Sequence, residues 1–153
     1  MIIDLNLDVS GLNPAIFSKG TDPKQYTPEE LKLIEAYGTA FAEWEKTKIG
    51  EAPQMPQPPH FTPIQAAASL MKRAIYESHK VGNTGHLRHI IRLSNDIDAQ
   101  TKGDSKAIIL PESDVHFIRK QYANVEWNLE KTPGDLLKFI LLVEDAIKTA
   151  KAK

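Results

Sequence analysis

The sequence predicts a mainly α fold: about five helices in a small orthogonal bundle, with one or two short strands. Three observations lead there. The dipeptide Thr-Pro occurs at 27–28, 62–63 and 132–133, each time ahead of apolar residues at helical spacing. The first nine residues alternate between apolar and polar. The composition is that of an ordinary globular chain: 153 residues, 41% hydrophobic, 25% charged, formal net charge −1.

At the N-terminus, "IIDLNLDV" sets Ile3, Leu5, Leu7 and Val9 against Asp4, Asn6 and Asp8. A strand of this kind needs a hydrogen-bonding partner, either residues 107–110 or another subunit. "SGLNP" turns the chain. Thr27 is placed as an N-cap, Pro28 at the first helical position and Glu30 at the third, which makes a capping box. The helix should reach about Lys48. Leu31, Ile34, Tyr37 and Phe41 lie on one side, and Leu33, Ala40 and Trp44 on another. Two apolar stripes predict packing from two directions.

Pro53, Pro56, Pro58 and Pro59 then exclude helix and favour an extended, polyproline-type connection. The expected organisation follows: an arm at 1–50, a Pro-rich linker at 51–61 and a helical body at 62–153, together one folded unit. Thr62-Pro63-Ile64-Gln65 repeats the start signal. Ile64, Ala67, Ala68, Leu70, Met71, Ala74 and Ile75 form the apolar face of that helix, which should stop near Val81-Gly82. After Asn83-Thr84-Gly85 a third helix runs to about Gln100, with Leu87, Ile90, Ile91, Leu93 and Ile97 expected inside. "AIIL" at 107–110 reads as a short strand. Pro111 and Glu112 open a fourth helix with Val115, Ile118, Tyr122 and Val125 inward. Thr132-Pro133 opens the last, with Asp135 where the helix dipole favours a carboxylate. Its residues 136–143 are apolar nearly all round, so it is expected at the centre or at an oligomer contact.

Charge is unevenly spread. Residues 1–61 carry 5 Lys against 9 Asp/Glu, and residues 62–92 carry 5 Lys/Arg against 1 Glu. The basic middle would face an anion or pair with the acidic arm. The overall balance speaks against nucleic acid as a partner. No cysteine is present, which excludes disulfides, thiolate zinc sites and cysteine nucleophiles. The longest apolar run, "FILLV" at 139–143, is too short to span a bilayer. "MIIDLNLDV" has neither the charged leader nor the long apolar core of a signal peptide. The expected location is the cytoplasm, with no membrane partner and no cofactor.

The densest cluster of chemistry is "ESHKVGNTGHLRHIIRLSND", residues 77–96. Lys72, Arg73, His79, Lys80, Thr84, His86, Arg88, His89 and Arg92 make an anion-binding candidate around a helix N-terminus, whose free N–H groups favour negative charge. The bland alternative is a solvated basic face, with Asn83 or Thr84 capping the helix. The segment matches neither a P-loop nor a dinucleotide fingerprint. His86 and His89 could share a zinc ion, but a stable site wants further ligands, and Asp96 lies roughly 10 Å beyond His89 along a helix. Arg92 is the better partner for Asp96, four residues away. No metal and no catalytic residue is assigned. A second candidate is an interface built from Ile3, Leu5, Leu7, Tyr37, Phe41 and Trp44.

The stretch from Gly85 to Asp145, "GHLRHIIRLSNDIDAQTKGDSKAIILPESDVHFIRKQYANVEWNLEKTPGDLLKFILLVED", together with the opening Ile-Asp-Leu segment, resembles short accessory proteins of tailed phages. The family's pattern is Arg-x-x-Leu-x-x-x-Ile, a loop, an apolar residue, then Glu/Asp-x-x-x-Ile; this chain carries Leu93-x-x-x-Ile97 and Asp114-x-x-x-Ile118 but no Arg three residues before Leu93. The Pro-rich linker and the long helix at 27–48 depart from it. The resemblance implies an accessory role through binding in a host cytoplasm, and carries no functional residues with it.

Two functions are therefore expected. The first is a non-enzymatic phage-type interaction protein acting as a homo-oligomer, with a further protein partner. The alternative is a small-anion or nucleotide-sequestering protein using the basic patch at 72–92.

Overall fold

The computed structural model describes residues 1–20, 23–56, 59–77, 82–103 and 105–152. Among them are five α-helices and a two-stranded antiparallel sheet, so the chain is mainly α. In chain order these are β1 (Ile2–Asp4), α1 (Pro28–Thr47), α2 (Pro63–Glu77), α3 (Thr84–Thr101), β2 (Ala107–Ile109), α4 (Glu112–Ala123) and α5 (Gly134–Lys148). Short 3-10 turns occupy Pro14–Phe17 and Pro23–Gln25. The chain divides into two compact units, one of Met1–Ile16 with Thr62–Lys153, the other of Phe17–Phe61.

The first unit packs four helices and the sheet. Helix α5, expected at the centre or at an oligomer contact, meets α2, α4 and β1, and α2 meets α3, α4 and α5. The α2 face of Ala67, Ala68, Met71, Ala74 and Ile75 explains this, because small side chains let three neighbours approach. Around it Leu93, Ile97, Val115, Ile118, Phe139 and Val143 are all fully buried. Each such aliphatic or aromatic side chain contributes about 1.5–3 kcal/mol before chain entropy is counted. Leu87 and Ile91, expected inside, are 54% and 45% exposed. The buried face of α3 is Ile90, Leu93, Ser94, Ile97 and Thr101, and Leu87 and Ile91 lie about 60° and 100° round from its middle.

The N-terminal strand finds its partner within the chain. Ile2, Ile3 and Asp4 pair with Ile109, Ile108 and Ala107. Both edges are occupied. Ile2 exchanges backbone hydrogen bonds with Lys151 on the outer side of β1. On the outer side of β2, the Gln100 amide donates to the Ile109 carbonyl at 2.9 Å and accepts from its N–H at 2.7 Å. Ser105 Oγ does the same for Ala107. Plugged edges resist strand addition. Ile3 and Leu5, expected at an interface, are 0% and 1% exposed and belong to the core.

The second unit closes on itself where its ends meet. Phe61 N–H donates to the Phe17 carbonyl, Lys19 N–H donates to Pro59, and Ser18 forms a bridge with His60. The expected arm is thus redrawn. Its strand joins the helical body, because Ile3 and Leu5 have a core there, while the proline-rich segment stays with α1. Helix α1 starts as the sequence requires: Thr27 and Glu30 form a reciprocal capping box behind Pro28. It ends at Lys48, in the left-handed region at φ 50°, whose N–H returns to the Trp44 carbonyl. The third Thr-Pro differs. Thr132 donates back to the Asn128 carbonyl and does not cap α5.

Candidate functional site

The basic patch is built on α2 and α3, and the structure gives most of its described cations an acidic partner. Lys72 meets Asp98 at 2.6 Å, and Arg73 meets Glu77 at 2.8 Å. Arg92 bonds Asp96 at 3.1 Å, the pair expected from their spacing. The centre of the cluster is Asp114, a buried carboxylate in the first turn of α4. It accepts from His89 Nε2 at 2.9 Å and from Arg92 at 3.1 and 3.2 Å. Hydrogen bonding to Asp114, with its Coulomb attraction second, raises the Arg92 pKa above the ordinary guanidinium value. His89 also packs against Phe117, with ring centroids 4.9 Å apart.

This arrangement ties α3 to α4. A buried carboxylate needs paired donors, and His89 and Arg92 supply them. Asn83, not Thr84, caps α3, accepting from His86 N–H at 3.0 Å. Thr84, His86 and Arg88 are exposed on the first turns of α3. Arg88 has no acidic partner among the described residues. His79 and Lys80 lie outside the described residues. Among those described, no group of three His, Asp or Glu is placed to hold a metal ion.

On sequence, Asp114 could be grouped with Glu112 and His116, but residues two apart on a helix diverge, so it is not a candidate site residue there. Its signal is nevertheless present: an acid one turn before Ile118 and two before Tyr122, on the buried stripe of a helix. A carboxylate there requires a cation across the interface.

The second candidate surface is the face of α1. Tyr37, Phe41 and Trp44 are half-buried and form a row, with ring centroids 5.9 and 5.7 Å apart. The Trp44 indole donates to the Gly50 carbonyl. Ile34 extends the row, giving a 3-4-3 spacing that makes one seam of what looked like two stripes. Its flanks are Leu31, Leu33, Gly38, Ala40, Glu45 and Thr47, with a single charge among them. Lys32, Glu35, Glu43 and Lys46 take the opposite face. None of the twenty residues of α1 is buried, and Leu31, Leu33 and Ile34 are 41%, 61% and 38% exposed. Leu7, the remaining interface candidate, is half-buried in the first unit.

No protein-family model, no curated protein and no solved structure matches this chain. Among the described residues, no helix is long and apolar enough to cross a membrane.

Proposed function

We propose that this chain is a non-catalytic interaction protein of the phage accessory type that assembles with copies of itself through the seam of α1. One observation carries the reading: a twenty-residue helix with an aromatic seam and no buried side chain. In proteins most of a helix's stability comes from packing its apolar face. A second copy of the same seam is a fitting occupant. The flanks are mostly apolar or small and carry one charge, Glu45, so two copies meet with little like-charge repulsion close to the contact. A two-fold contact needs this kind of self-complementary patch.

Light-scattering chromatography tests it. The chain should run as a dimer or larger at roughly tens of micromolar, a range typical of modest self-association. A Tyr37→Glu/Phe41→Glu variant should run as a monomer with its thermal unfolding transition retained. A wild-type monomer under those conditions overturns the reading.

The alternative, a small-anion or nucleotide site, is favoured by the exposed Arg88, without an acidic partner among the described residues, beside Thr84. It is weakened by the carboxylates that already hold Lys72, Arg73, His89 and Arg92. Calorimetry with phosphate and nucleotides, on wild type and Arg88→Ala, tests it; equal heats in both variants exclude this patch.

A further inference from the structure

We propose that the groove between the end of α4, the 124–129 connection and α5 docks a partner protein segment bearing an apolar side chain next to a Lys or Arg. The groove has a volume of ≈ 340 Å³ and is lined by Tyr122, Trp127, Leu129, Leu137, Leu141 and Glu144, among others. Leu129 and Leu141 are 70% and 59% exposed, so its apolar walls continue beyond the cavity itself. Such a surface suits a length of chain better than a small molecule, which would leave those walls wet.

Charge selects the occupant. Among the described lining residues Glu144 is the one carboxylate, and its side chain is only 27% exposed. Its ion-pair partner is Lys148, on the same helix at 3.1 Å and 60% exposed, a contact that a competing cation can replace at small cost. The Tyr122 hydroxyl is turned inward and donates to the Ile140 carbonyl at 2.8 Å. Exposed Glu126 and Glu130 flank Trp127 and Leu129, with Lys131 following. Arg73 stacks on the Trp127 ring at 4.7 Å and is engaged by Glu77. An apolar trough with a half-buried carboxylate fits an apolar residue beside a cation. This claim stands whether or not α1 self-associates.

Calorimetry on the full chain decides it, with three synthetic peptides of equal length: Leu/Lys, Leu/Glu and Ser/Lys. The Leu/Lys peptide should bind saturably, and the other two at least about tenfold more weakly. Glu144→Gln should weaken Leu/Lys binding roughly three- to tenfold. Leu141→Ser, at an exposed position, should weaken it at least as much. Equal binding of the Leu/Glu peptide overturns the proposal, as does an unchanged affinity in both variants. Binding of butylammonium as tight as that of the peptide overturns the assignment to a protein segment.

Discussion

In α1, Thr27 N–H donates to Glu30 at 2.9 Å and Glu30 N–H donates to Thr27 Oγ1 at 3.2 Å. In α2, Thr62 and Gln65 repeat the exchange at 3.0 and 3.2 Å. Both helices carry Pro at the first position. Yet α2 buries five side chains and α1 buries none. Capping chemistry therefore sets where a helix begins and says nothing about what will cover it. The difference lies in the faces. Alanines on α2 admit three neighbouring helices, whereas the rings on α1 stand up as a seam.

The largest effect that would test this contrast is in the core. Phe139→Ala should cost about 3–5 kcal/mol in urea unfolding, whereas Phe41→Ala should cost under about 1 kcal/mol where the chain is monomeric. Equal losses would mean that the α1 seam is as firmly packed as the core. Next comes the tie between α3 and α4. Asp114→Ala should cost roughly 1–3 kcal/mol, since it removes the charged hydrogen bonds that join α3 to α4, although Arg92 keeps Asp96. A neutral result would mean that the cluster adds nothing to helix packing.

The caps should give smaller and unequal readouts. Thr27→Ala and Thr62→Ala each remove a cap worth about 1 kcal/mol. The Thr62 variant should lower the main unfolding transition. The Thr27 variant should appear chiefly as faster amide exchange at the start of α1. The smallest effect is on pH. The Lys19 hydrogen bond, then the Thr27 N–H, hold the Glu30 pKa below its ordinary 4.5. A depressed carboxyl pKa stabilises above the ordinary value, and that contribution is lost as pH falls through the lowered one. Helicity of α1 should therefore fall on acidification below 4.5, and Glu30→Gln should flatten the response.

Much of the fold was legible. The two capping boxes, the strands at 2–4 and 107–109, and the inward set Val115, Ile118 and Tyr122 follow from local chemistry and periodicity, whereas the choice between pairing those strands with each other and pairing with another subunit was left to the tertiary structure. The exposure of Leu87 and Ile91 was not legible, because a broad apolar stripe does not reveal which of its edges a neighbour covers. Nor was Asp114, since its meaning depends on His89 and Arg92, more than twenty residues away in sequence. The two stripes of α1 merged only when the ring contacts were seen.

By itself the sequence determined the helix starts, the apolar periodicities and the local Arg92–Asp96 pairing, because each rests on groups within about one helical turn. Tertiary structure alone decided which cations are neutralised, which strand edges are plugged and which apolar faces stay open. Those outcomes depend on groups brought together across the chain, and spacing along it does not encode their distance.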